Sequence, residues 1–223
     1  MMLAFVLFGV LFSNKSPFEF DNRTIQIASE SNVSVELWSG YSWQTIGSGT
    51  LIQKNGRKFM LTAFHVASIA TEHPKQACLM LYPEECLPLD SFIINSSSSI
   101  DGDWTLYRLE KDLLTHSTFA RIDMREPVIG EQVTLAGFPN AQPWLSTGTV
   151  GLPVTWNPNT EKYVWGVNGF VYPGSSGGGV FDSDGDLIGL VVAAPVFPEP
   201  LSRRPAFIED IVLVVPVVNV EAL

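Results

Sequence analysis

Three short stretches of the chain combine residues capable of nucleophilic chemistry with the small residues such chemistry needs around it. The first is Leu61-Thr-Ala-Phe-His65-Val-Ala-Ser, where an apolar run (KFML) enters a small-residue turn holding a histidine. The second is Asp101-Gly-Asp103-Trp-Thr-Leu-Tyr-Arg-Leu, where a carboxylate immediately precedes an apolar strand. The third is Pro173-Gly174-Ser175-Ser176-Gly177-Gly178-Gly179-Val-Phe-Asp, a serine inside a glycine-rich turn that opens a strand.

A serine hydroxyl is a weak nucleophile and needs an imidazole to take its proton. The imidazole needs a carboxylate on its other nitrogen, which fixes the tautomer and stabilises the imidazolium. The oxygen that becomes negative on the substrate needs rigid N–H donors, best supplied by backbone. Gly174, Gly177 and Gly178 permit backbone angles that let such N–H groups converge, with Pro173 stiffening the approach. Ser176 is then the candidate nucleophile, with its neighbour Ser175 as the fallback. His65 is the candidate base, because neither His73 nor His116 sits in such a context. Asp103 directly abuts the W-T-L-Y-R-L run and is the candidate partner of His65. Asp101 is the alternative, two residues away and so on the same face of an extended chain. The ordinary structural readings are a Gly/Ser turn for Ser176 and a satisfied core histidine for His65.

These residues need a rigid frame, and after residue 30 the chain supplies short β-rich runs separated by turns. Such runs occur at 33–38, 49–53, 58–62, 104–109, 133–137, 148–153, 163–167, 178–181, 187–193 and 211–218. Lys-Asn-Gly-Arg, Asn-Pro-Asn-Thr and Asp-Ser-Asp-Gly-Asp lie between them and are good turn chemistry. Helical periodicity is never long; short helices are expected around 66–71 and 109–114. The pattern is that of an all-β barrel or sandwich, with a midpoint at the Pro-containing segment 121–130. Asp182, Asp184 and Asp186 resemble the start of a calcium loop, but the twelfth position is Ala193 and not a closing Glu, so a hairpin turn is expected.

With 223 residues, 46% hydrophobic and only 16% charged, the chain is neither disordered nor a coiled coil and can bury a real core. Thirteen Lys plus Arg against 23 Asp plus Glu leave a charge of −10, which disfavours a nucleic-acid partner. Two cysteines, Cys78 and Cys86, cannot by themselves close a zinc site, and either a hairpin disulfide or two small apolar side chains fits their spacing. The first stretch, MMLAFVLFGVLF, is shorter than the about 20 residues of a membrane-spanning helix. It reads as a signal peptide or a hydrophobic N-terminal arm over 1–20, although no basic residue precedes it and no clean cleavage site follows. Export is the expectation. N-x-S/T triplets occur at Asn14, Asn22, Asn32 and Asn95.

G-S-S176-G-G, T-A-F-H65-V and D103-W-T-L together resemble the chymotrypsin-like (trypsin-like) serine peptidases, whose chain order is His, Asp, Ser. Gly47-Ser-Gly-Thr-Leu-Ile reads like the strand before the histidine strand of that family. Gly130-Glu-Gln-Val-Thr-Leu-Ala-Gly-Phe-Pro139 reads like the first strand of its second barrel, and Asp184-Gly-Asp-Leu-Ile-Gly-Leu like the hairpin after the nucleophile. The likeness covers about residues 34–220 and is nearer to compact Deg/HtrA-type domains than to digestive trypsins. There is no Ile-Val-Gly-Gly start, Ser175 stands where a zymogen-switch Asp would be, Val66 replaces the cysteine after the histidine, and Gly179 replaces a common Pro. The chain ends about 40 residues after Gly178, so no C-terminal PDZ domain is expected.

The resemblance implies two packed antiparallel six-stranded β-barrels, about 30–120 and 125–220 within a peptidase domain over 21–223, and an active site in the cleft between them. It implies His65, Asp103 and Ser176 as a triad, an oxyanion hole from the N–H groups of Gly174 and Ser176, and no metal or organic cofactor. One wall of the primary specificity pocket would be residues 168–172, including Phe170, Val171 and Tyr172. The other would be 190–194, including Val192 and Ala193, pairing with substrate backbone as an added strand. Neither wall carries an acidic residue, so a small or medium apolar side chain is expected before the scissile bond rather than Lys or Arg. Polypeptides are the implied partners. Two other readings stand beside this one: an inactive homologue that binds peptides or proteins, and a self-processing peptidase released from a viral polyprotein.

Overall fold

A computed structural model describes residues 22–81, 85–89, 93–98, 102–109, 117–157, 162–193, 196–198, 205–207, 211–221 and 223. The segment 1–20, Asn14, Asp101, His116, most of the helical candidate 109–114 and Ala194 lie outside them.

Strands β1 (Asn32–Trp38), β2 (Trp43–Lys54), β3 (Arg57–Thr62), β4 (Ala77–Leu81), β5 (Glu85–Pro88), β6 (Ile93–Ser97) and β7 (Trp104–Leu109) form one antiparallel sheet. Its order is β5-β4-β1-β2-β3-β7-β6. Asn55 and Gly56, with φ of 52° and 73°, close the β2–β3 hairpin in a two-residue turn whose twist matches its strands. The second half carries β8 (Gln132–Gly137), β9 (Trp144–Asn157), β10 (Lys162–Asn168), β11 (Gly179–Phe181), β12 (Leu187–Ala193), β13 (Val196–Pro198), β14 (Pro205–Phe207) and β15 (Ile211–Pro216). Six of these close into a barrel, β10-β15-β12-β11-β8-β9, while β13 and β14 pair with each other. The architecture is thus all-β in two antiparallel units. The second is the six-stranded barrel expected. The first is a curled seven-stranded sheet, one strand more than expected, with β5 and β6 at its edges among the described residues.

Three apolar cores hold this together. One fills the first sheet with Val35, Leu51, Met60, Val66, Leu79 and Tyr107. A second fills the barrel with Val133, Leu135, Val167, Ile188 and Val214. The third lies between the units, where Ile52, Leu61, Trp104 and Leu106 meet Phe181, Leu187, Leu190 and Val215. The connecting segment stitches the same seam: Ala120 exchanges backbone bonds with Leu51 and Gln53, and Arg121 and Asp123 bond the backbone of Leu187.

Helix α2 (Phe64–Glu72) corresponds to the short helix expected near 66–71. Helix α1 (Asn22–Ser31) has no counterpart in the sequence reading. Its buried positions are Thr24, Ala28 and Ser31, with Ile27 half-buried against the core between the units, so its inward face carries one large apolar side chain and reads as no apolar stripe. Thr24 donates to the Ser183 carbonyl at 2.8 Å, which fastens the helix to the β11–β12 turn. That turn is the hairpin expected at Asp182, Asp184 and Asp186: Asp182 Oδ1 accepts the N–H groups of Asp184 and Asp186, both at 2.9 Å. Cys78 and Cys86 are joined as a disulfide between β4 and β5. Asn32 is buried with its amide engaged on both ends, which leaves the folded protein no room for a glycan at that triplet.

Candidate active site

His65 sits in the first turn of α2, where backbone N–H groups have no partners within the helix. Asp103, at the entrance to β7, meets this end with both oxygens. Its Oδ1 accepts the His65 backbone N–H at 3.0 Å, and its Oδ2 lies 2.7 Å from His65 Nδ1. A carboxylate only accepts, so Nδ1 carries the hydrogen and Nε2 is left with its lone pair free to accept a proton. The helix end also favours the negative charge of Asp103. The imidazole is 46% exposed and the carboxylate 21%, so the ring faces solvent while its partner is screened.

Ser176 lies in the turn that leads into β11. The N–H groups of Ser175, Gly177 and Gly178 bond the carbonyls of Tyr172 (2.9 Å), Val191 (2.7 Å) and Ser175 (2.9 Å). Those of Gly174 and Ser176 have no backbone acceptor among the described residues. Gly174 and Gly177 have φ of 100° and 90°, and a side chain at Gly177 would collide with the Ser48 carbonyl and the Thr62 hydroxyl. Ser176 Oγ donates to the Val192 carbonyl at 3.2 Å. Ser175 is turned inward and buried, its Oγ accepting the Tyr172 N–H at 3.4 Å.

The two halves of the site converge on Gly47 of β2. A Cβ there would stand 2.6 Å from Cγ1 of Val66, which follows His65, and 3.0 Å from the Ser176 carbonyl oxygen. The absence of a side chain at 47 therefore lets the histidine helix and the serine turn approach one strand. The next residue, Ser48, was not singled out by the sequence reading, yet it bonds both Gly174 and Ser176. The available signal was a serine between two glycines inside a strand.

Of the expected pocket residues, Phe170 and Tyr172 are exposed and meet edge to face, centroids 4.8 Å apart. Tyr172 also meets the edge of Trp144 at 5.2 Å, a residue of β9 that sequence reasoning missed. Ser146 donates to the Phe170 carbonyl at 2.5 Å. Val171 packs against the barrel core and Val192 belongs to the core between the units, so Val192 offers the site its carbonyl and not its side chain. The backbone of Ala193 pairs with Leu213 in β15.

A family model described as a trypsin-like peptidase domain matches residues 47–190, a span that includes His65, Asp103 and Ser176. No curated protein matches the chain. Among solved structures, a serine endoprotease from Yersinia pestis is similar with a TM-score of 0.65 at 20% identity, over 91% of this chain and 64% of that one. An HtrA-type protease with tripeptide is similar with a TM-score of 0.63 at 16% identity, over 86% of this chain and 58% of that one. The chain spans less than two thirds of either structure, and at such identities the likeness is one of fold.

Proposed function

We propose that this chain, which belongs to the trypsin-like peptidase domain family, is a serine endopeptidase in which His65, Asp103 and Ser176 act as the triad. What carries the reading is the 2.7 Å bond between His65 Nδ1 and Asp103 Oδ2, made beside the serine turn of a family member. His65 Nε2 takes the Ser176 proton as Oγ attacks the substrate carbonyl carbon, then returns it to the leaving amine. The Gly174 and Ser176 N–H groups, without backbone acceptors among the described residues, receive the negative oxygen. Water then hydrolyses the acyl-enzyme by the same route reversed.

Substrate backbone would lie along the 192–193 end of β12, beyond Leu190, the last residue that pairs with β11. Phe170, Val171 and Tyr172 would flank a small or medium apolar side chain before the scissile bond, with Val192 and Ala193 contributing their backbone. The Cys78–Cys86 disulfide fits an exported protein with its domain over 21–223. Among the described residues no helix is long and apolar enough to cross a membrane.

A fluorophosphonate probe with peptide-mapped masses tests the mechanism. Labelling is expected at Ser176, lost in Ser176→Ala and His65→Ala and kept in Ser175→Ala; label on any other residue overturns the assignment. Cleavage profiling on a peptide library then tests the pocket, and strict Lys/Arg preference would sink the apolar reading. A second reading draws on the Ser176 hydroxyl resting on the Val192 carbonyl: a latent homologue that binds peptides until that contact is broken. Folded protein that binds peptides but never takes the label would favour it.

A further inference from the structure

Ser48 is fully buried on β2, in the seam between the two units, and makes four hydrogen bonds. Its Oγ donates to the Gly174 carbonyl at 2.6 Å and accepts the Phe138 N–H at 2.8 Å. Its backbone N–H donates to the Ser176 carbonyl at 2.7 Å, and its own carbonyl accepts from Thr62 Oγ1 at 2.6 Å. One residue of the first unit thus grips two alternate carbonyls of the nucleophile turn in the second.

A peptide group is planar, so fixing its C=O and its N–H fixes the whole plane. The plane joining Gly174 to Ser175 is held at both edges, its C=O by Ser48 Oγ and its N–H by the Tyr172 carbonyl. The plane joining Ser176 to Gly177 is held likewise, its C=O by the Ser48 N–H and its N–H by the Val191 carbonyl. The N–H groups of Gly174 and Ser176 belong to the planes next to these, so their directions are set by what Ser48 holds. The order of the chain Phe138 N–H to Ser48 O–H to Gly174 C=O is fixed, because a backbone N–H can only donate and a carbonyl can only accept. Without the hydroxyl, the Gly174 plane keeps one anchor, and its glycine at φ 100° has no Cβ to resist rotation.

We infer that Ser48 is a positioning residue for the oxyanion hole, acting through the Gly174 carbonyl; this rests on the serine-peptidase reading above. The test is the kinetics of fluorophosphonate labelling at Ser176, which separates binding of the probe (KI) from the bond-forming step (kinact). Ser48→Ala is expected to lower kinact by about tenfold or more, the effect of loosening one oxyanion donor, with KI within about twofold of the parent. Ser48→Cys, similar in shape but a weak donor, is expected to fall between. Thr24→Val removes a hydrogen bond that is also part-buried but is made to the β11–β12 turn and not to the Ser176 turn, and is expected to lower the thermal midpoint without changing kinact.

If Ser48→Ala does not fold by circular dichroism, Ser48→Cys decides by the same criterion. A parental kinact in the folded variant, a loss confined to KI, or an equal loss in Thr24→Val overturns the role of Ser48. Absence of label on the parent protein is a different failure, since it removes the serine-peptidase reading and the Ser48 role with it.

Discussion

Asp103 serves two masters at the start of α2, holding the backbone N–H of His65 and the ring nitrogen of the same residue. Backbone and side chain of the histidine are therefore oriented by one carboxylate. Asp103→Asn keeps the size but lets an amide N–H face Nδ1, which drives the ring to the tautomer with its hydrogen on Nε2. Probe labelling at neutral pH is expected to drop by about four orders of magnitude, with the fold intact by circular dichroism. A drop of less than about tenfold would mean that Asp103 is not the partner that matters. At this scale the sequence pointed to residues where chemistry asks for a particular type in a particular turn; the structure pairs His65 with Asp103 and sets Ser176 among glycines, and the roles given to them are those proposed above. It was silent on Ser48 and on the Val192 carbonyl, because hydrogen bonds made to backbone leave no signature beyond a small polar residue or none at all.

The elements position these residues through contacts that patterning only partly reveals. β1, β3, β7, β8 and β12 were legible as β-rich runs bounded by turn residues. β2 and β9 extend beyond the runs read at 49–53 and 148–153, and α1 was not read because its inward face sets Thr24, Ala28 and Ser31 beside the lone large apolar Ile27. Yet α1 is wired to β11 through the first residue of β1. Asn32 Nδ2 donates to the Ala28 carbonyl at 2.8 Å, while its Oδ1 accepts the Gly179 N–H at 3.1 Å and the Thr50 hydroxyl at 3.3 Å. Asn32→Ala strands these buried groups and is expected to destabilise the fold by about 1–3 kcal/mol, read as a lower urea midpoint at unchanged m. An unchanged midpoint would mean that helix and strand are fastened elsewhere.

At the scale of the whole molecule, charge clusters on the connecting segment and the barrel. Arg125 bonds Asp123, Glu131 and Asp182 together, which holds its guanidinium above its ordinary range. Burial alone would raise the Glu131 carboxyl, but the hydrogen bonds from Arg125 and the Val128 N–H outweigh it and leave the group below its ordinary 4.5. A carboxylate lowered on folding contributes its stabilisation fully above the unfolded value and loses it as pH falls through the folded one. Glu131→Gln is therefore expected to melt below the parent at pH 7, with the gap narrowing as the pH falls below about 4.5. A gap that stays constant as the pH falls would show that the charge of Glu131 is not what stabilises. Turn spacing pointed to an all-β chain with a midpoint near 121–130, and the family resemblance to two barrels, but neither to this cluster, because its members are scattered from 123 to 182 and meet only in the folded chain. The same scattering governs the site itself. His65 and Asp103 are made with the first unit, the serine turn with the second, and β2 of the first holds that turn by Ser48. On the serine-peptidase proposal, base and nucleophile would therefore come together only once the two units have closed on each other, and the capacity to cut would be the last property the folding chain acquires.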